Sequence, residues 1–155
     1  MKSNVTRPAK GTLETILVVE DNPLLLRLVC SILEEAGFCV LAASNSKIAI
    51  QMEISFRGTI HMLLSDVVMP DMSGPDLAQL LKKNRQEMRV ILMSGYPDGQ
   101  LLFLNHGWHF IQKPFVAAAL AAKVNEVLHT PESSQGDDGY DTRVQGASGK
   151  REVGR

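Results

Sequence analysis

The chain has 155 residues, 45% apolar and 21% charged, with a net charge of -1. That is one soluble globular domain's worth of sequence, with enough length for a proper hydrophobic core. The charge balance gives no footprint for nucleic acid, whose binders carry a basic surplus, and no apolar run approaches the ~20 residues of a membrane span.

Met1 to Glu14 read as a polar leader without an apolar signal segment, so the expected location is cytoplasmic. Thr15 to Val19 is a continuous β-branched apolar run, which suits a strand buried on both faces. Asn22 then offers an N-cap and Pro23 a first helical position. The predicted helix runs through Ala36, with Leu24, Leu28, Ile32 and their neighbours as its apolar stripe, and Gly37 ends it. Phe38 to Ala42 is a second strand and Ser46 to Ser55 a short helix. His61 to Ser65 is a third strand, with Asp66 at its carboxyl end. Pro75 opens a helix to about Asn84. Arg89 to Met93 is a fourth strand, Asp98 to Asn105 a weak helix, Trp108 to Ile111 a fifth strand, and Val116 to Leu128 an Ala-rich closing helix. From about Thr130 the sequence is rich in Gly, Ser, Asp and Arg, a composition that cannot offset its ordering entropy. The expected organisation is a leader over 1–14, one domain over 15–129 and a disordered tail over 130–155.

Strands alternating with helices imply a parallel sheet covered on both faces, a doubly wound α/β fold. Ligands of such sheets bind beyond the carboxyl ends of the strands. The residues there are Glu20 and Asp21 after the first strand, Asp66 after the third, Ser94 after the fourth, and Lys113 with Pro114 after the fifth. Three carboxylates brought together repel one another and call for a cation. Hard oxygen ligands of this kind suit Mg²⁺, which binds through a few carboxylates plus phosphate. Lys113 adds a point charge and Ser94 a hydrogen-bond donor for phosphoryl oxygens, which leaves Asp66 as the nucleophile of an acyl phosphate. Each feature alone is more often an ordinary turn or loop; their joint placement at successive strand ends carries the reading.

Cys30 and Cys39 fall inside apolar runs without metal-ligand spacing and are expected as small core residues without a disulfide. His61, His106, His109 and His129 show no metal-ligand spacing and are taken as structural, and Trp108 as core.

The segments VVEDNP at 18–23, LLSDVVMPDMSG at 63–74, MSGY at 93–96 and QKPF at 112–115 resemble the receiver domains of bacterial two-component response regulators. The surrounding style is similar to receivers attached to hybrid sensor kinases or standing alone. The resemblance implies a flavodoxin-like sheet of five parallel strands in the order 2-1-3-4-5. It implies a signalling phosphoacceptor rather than an enzyme, without an output domain of its own. The donor would be a sensor histidine kinase or a histidine phosphotransfer domain, with Mg²⁺ required. Residue by residue, Asp66 matches the phosphoacceptor, and Asp21 the direct metal ligand, with Glu20 acting through water. Val68 would lend its backbone carbonyl to the metal. Ser94 matches the switch hydroxyl and Lys113 the phosphate-binding lysine. Pro114 corresponds to the family's cis-linked proline, and Phe110 to its aromatic switch, for which a plain core role is the alternative.

The stretch from Ser94 to Lys113 is a few residues shorter than the family's, which implies a short or irregular fourth helix and a monomer or weak dimer. Val68 and Tyr96, two positions after Asp66 and Ser94, would border the path of the water that attacks the acyl phosphate. An apolar and a bulky residue there imply slow hydrolysis. Two other Mg²⁺ or phosphate chemistries fit less well. A haloacid-dehalogenase-like phosphatase needs a second carboxylate at position 68, and a flavodoxin needs a phosphate loop where Glu20 and Asp21 stand. A receiver that works without phosphorylation is a further alternative.

Overall fold

The computed structural model describes residues 13–96 and 106–131. In chain order the elements are β1 (Thr15–Val19), α1 (Pro23–Glu35), β2 (Cys39–Ala43), α2 (Ser46–Ser55), β3 (Met62–Asp66), α3 (Gly74–Lys82), β4 (Arg89–Ser94), β5 (His109–Gln112) and α4 (Ala117–His129). The five strands are all parallel, in the order β2-β1-β3-β4-β5. The expected weak helix over 98–105 lies outside the described residues.

Side chains alternate across each strand, so β1 feeds two cores. Leu17 and Val19 join Leu63 and Leu92 under α2 and α3, where Ala49, Leu77 and Leu81 close the layer. Ile16 and Val18 join Leu64, Ile91 and Met93 on the other face, beneath Val29 and Leu33 of α1 and Leu120 and Val124 of α4. Every residue of β1 is buried, as its unbroken apolar run requires. Trp108 belongs to the first of these cores, as expected.

The helix α1 starts where the sequence predicts: Asn22 Oδ1 accepts from the N–H groups of Leu24 at 3.0 Å and Leu25 at 3.2 Å. Gly37, with φ of 96°, follows its end. The stripe differs. Val29 and Leu33 are the buried residues, whereas Leu24 is 74% and Leu28 55% exposed. With apolar residues at almost every position from Leu24 to Leu33, two stripes overlap, and periodicity alone could not choose the one that meets the sheet.

β2, β3 and β5 begin one residue later than expected, and Phe38, His61 and Trp108 lie just before them. At the other end the ladder reaches the site residues themselves, pairing Asp66 with Met93 and Ser94 with Gln112. The helix α3 ends earlier than expected, at Lys82, and its Ser73 N-cap accepts from Asp76 N–H at 3.2 Å. Cys30 and Cys39 are free and half-buried rather than core residues; Cys30 packs against the edge of the second core. Among the described residues no helix is long and apolar enough to cross a membrane.

Candidate functional site at the carboxyl edge of the sheet

The parallel order places β1 beside β3, β3 beside β4 and β4 beside β5, so the residues at their carboxyl ends share one edge. Glu20, Asp21 and Asp66 each bring a carboxylate oxygen to within 4.8 Å of the others. Glu20 is 1% exposed. Its Oε1 accepts from Asn22 N–H at 3.1 Å, and its Oε2 meets Lys113 Nζ at 2.8 Å. The same ammonium lies 3.3 Å from Asp66 Oδ2. Asp21 is exposed and Asp66 half-buried, so the cluster opens to solvent on one side.

Burial pushes the Glu20 carboxyl above the ordinary range; the Lys113 and Asn22 hydrogen bonds and the Lys113 charge oppose this, and the charge on Asp66 adds to it. Burial alone would lower Lys113, but its hydrogen bonds to Glu20 and Asp66 and both carboxylate charges outweigh that and hold the amine above the usual lysine range. One ammonium thus meets Glu20 and Asp66, with Asp21 as a third carboxylate, so acidic groups outnumber cationic ones in this cluster among the described residues. That donor set, all carboxylate oxygen with a net deficit of positive charge, fits a hard divalent cation.

Lys113 reaches the cluster because its own N–H donates to Ser94 O at 2.8 Å, which continues the β4–β5 ladder past the strand end. The Lys113–Pro114 peptide is cis, as the resemblance implies. Ser94 is 4% exposed, and its Oγ accepts from Tyr96 N–H at 3.1 Å. Val68 and Tyr96 present exposed side chains, at 64% and 72%. Phe110 is half-buried and packs against the core beneath α2 and α3. The histidines stand apart from the cluster. His61 Nδ1 accepts from Thr15 N–H, His129 pairs with Glu14, and His106 stacks on Trp108.

Three supporting residues were not singled out from sequence. A Cβ on Gly74 would lie 2.1 Å from the carbonyl oxygen of Asp66, so only glycine lets α3 approach the backbone there. Gly74 N–H also donates to Val67 O at 2.8 Å. Ser65, fully buried, donates its hydroxyl to Asp66 O at 2.9 Å. Asp71 accepts from the Ser46 hydroxyl at the start of α2. A glycine eight residues after a strand-end carboxylate and at the start of a helix is a legible sign of close approach; Ser65 is the sequence neighbour of Asp66, whereas Asp71 and Ser46 are brought together only by the fold.

Residues 16–125 match the response regulator receiver domain family. The sensor kinase CckA of Brucella abortus is 32% identical over 117 residues, which cover 74% of this chain but 12% of the kinase. The chain therefore spans a small part of such relatives. Among solved structures, a response regulator receiver domain protein from Clostridium thermocellum is 29% identical with a TM-score of 0.69, covering 75% of this chain and 94% of that one. The Thermotoga maritima response regulator TrrA, solved in complex with Mg²⁺ and BeF, is 26% identical with a TM-score of 0.66, covering 74% and 99%. With its sheet order, its strand-end cluster and most of its length in agreement, the chain belongs to the response regulator receiver domain family of two-component systems.

Proposed function

We propose that this receiver accepts a phosphoryl group on Asp66 from a phosphohistidine of a sensor kinase or a histidine phosphotransfer domain. The observation that carries the reading is the three-carboxylate cluster with Lys113 bridging Glu20 and Asp66. Asp21 and Asp66 would hold Mg²⁺ directly, Glu20 through water, and Val68 through its backbone carbonyl. When bound, Mg²⁺ would neutralise charge on the phosphoryl oxygens and on the crowded carboxylates.

Asp66 Oδ attacks phosphorus in line with the scissile P–N bond. The new O–P bond forms as that bond breaks, and the imidazole keeps the electron pair and takes up a proton. Lys113, already 3.3 Å from Asp66 Oδ2, can exchange its carboxylate contact for a phosphoryl oxygen. Ser94, at the end of β4, can rotate its hydroxyl toward another, giving up its bond from Tyr96 N–H. Phe110, half-buried on the neighbouring strand, is the aromatic whose packing would follow Ser94. The output is then a change in protein contacts.

Exposed Leu24 and Leu28 on α1 support a protein donor, as does exposed Val116 at the start of α4, the helix packed against α1. Leu24→Asp should slow transfer from a phosphorylated histidine domain and leave phosphorylation by acetyl phosphate unchanged. Asp66→Asn should abolish both. Full transfer to Asp66→Asn would move the acceptor elsewhere.

A further inference from the structure

The seven residues from Val67 to Ser73 join the acceptor strand to α3, and they are fastened at several points. Val67 N–H donates to Met93 O at 2.9 Å, Met69 is buried in the core under α2 and α3, and Gly74 N–H returns to Val67 O. Asp71 adds a different kind of tie. Its Oδ2 accepts from the Ser46 hydroxyl and from Lys47 N–H at 3.3 Å, both in the first turn of α2 and both more than twenty positions away in sequence. Ser46 is 2% exposed, so its hydroxyl needs a fixed partner.

The Asp71 carboxyl lies below the ordinary carboxylate range, chiefly because the Ser46 hydrogen bond favours its charged form. Its placement at a helix N-terminus acts in the same direction. Asn45, the N-cap of α2, serves Ile48 N–H, which leaves the Lys47 N–H for Asp71. One carboxylate thus completes the start of α2 and holds the far end of the short span that begins at Asp66.

Val68 lies inside that span, between the fastened Val67 and the buried Met69, and Asp71 ties the chain two residues beyond Met69. We propose that Asp71 is a positioning residue: through Ser46 it ties the acceptor loop to α2 and so fixes the Val68 carbonyl for the metal. The inference rests on the phosphoacceptor reading of the site. Asp71 touches neither metal nor phosphoryl group. It restricts the conformations of the loop, so that metal binding need not order it.

The test is calorimetric Mg²⁺ titration of the full chain at constant ionic strength, with the metal-free melting temperature as a check on folding. Asp71→Ala and Ser46→Ala should each weaken Mg²⁺ about tenfold, the scale of losing a residue that supports a ligand. The double variant should be no weaker than Asp71→Ala, because Asp71→Ala already removes the Ser46 contact. Asp71→Asn keeps an oxygen that can accept from Ser46 and Lys47, and should stay within about twofold of the parent. Phosphorylation by acetyl phosphate should slow in the two alanine variants at low Mg²⁺ and return to the parent's rate at saturation.

Equal weakening in Asp71→Asn and Asp71→Ala would show that only the charge matters and overturn the proposal. So would unchanged Mg²⁺ affinity in Ser46→Ala, a neutral change that decides the matter even where Asp71→Ala folds poorly. Failure of the phosphoacceptor reading looks different: the parent itself would bind no Mg²⁺ and take up no phosphoryl group.

Discussion

The two edges of the sheet carry buried charge in opposite states of completion. At the amino edge, Arg85 Nε donates to Glu53 Oε1 at 3.0 Å, and its other nitrogens donate to the carbonyls of Glu53, Phe56 and Gly58 at 2.7 to 3.0 Å. One guanidinium thereby pairs the buried Glu53 and satisfies the carbonyls around the end of α2, which a helix terminus leaves open. At the carboxyl edge, Lys113 is shared between Glu20 and Asp66 while Asp21 adds a third carboxylate. The first cluster is closed and serves the fold. The second keeps a surplus of negative charge that a divalent cation can answer. Deleting a group should therefore cost stability at one edge and spare or raise it at the other.

The largest effect belongs to the closed edge. Arg85→Ala strands Glu53 in the interior and should lower unfolding free energy by about 3–5 kcal/mol, read from the urea midpoint. Lysine cannot reproduce the fork of donors, so Arg85→Lys should recover little of the loss. A loss below about 1 kcal/mol, the range of an exposed pair, would erase the contrast between the edges.

At the open edge, Asp66→Asn should leave the metal-free melting temperature equal or higher, since it removes one of three crowded charges. Mg²⁺ at a hundred times its dissociation constant should stabilise the parent by about 2.7 kcal/mol through mass action. Asp21→Ala should remove most of that gain. A metal-free Asp66→Asn protein as damaged as Arg85→Ala would mean that the acidic cluster is structural.

Val68 and Tyr96 sharpen the comparison in time rather than in stability. Both expose side chains at the rim of the site. Neither valine nor a bulky tyrosine is suited to holding a water in line with the acyl phosphate, so the phosphorylated state should be long-lived. Val68→Asn and Tyr96→Glu should shorten its half-life several-fold with Mg²⁺ present, because positioning is a large part of phosphoryl-transfer catalysis. A parent that loses its phosphoryl group as fast as both variants would show that these side chains do not gate the water.

The smallest effect concerns pH. The Asp71 carboxyl is depressed by the Ser46 hydroxyl. A depressed carboxylate lends stability that is present above its unfolded value of about 3.9 and is lost as pH falls through the folded value. In Ser46→Ala the carboxyl resonance of Asp71 should titrate higher than in the parent, and an unchanged midpoint would remove the hydrogen bond as the cause.

Much of the carboxyl edge was legible in the sequence because strand alternation and chain order suffice to place it. Glu20, Asp66, Ser94 and Lys113 each follow a run whose strand character is plain, and parallel pairing does the rest. The amino edge was not legible. Arg85 and Glu53 are 32 positions apart on surfaces that look polar and solvated, and only the packing of α2 against the turn after α3 makes them partners. The choice between Leu24–Leu28 and Val29–Leu33 on α1 was hidden for a related reason. A helix apolar on two sides fits the sheet equally well by pattern, and the spare apolar side is what α1 leaves exposed.

The central claim is that the open edge exists to take a phosphoryl group on Asp66. Its most direct test is intact-mass measurement after incubation with acetyl phosphate, with and without Mg²⁺, on the parent and on Asp66→Asn. The account predicts one added phosphoryl group on the parent, only with Mg²⁺, and none on the variant. Equal labelling of the variant, or labelling indifferent to Mg²⁺, would contradict it.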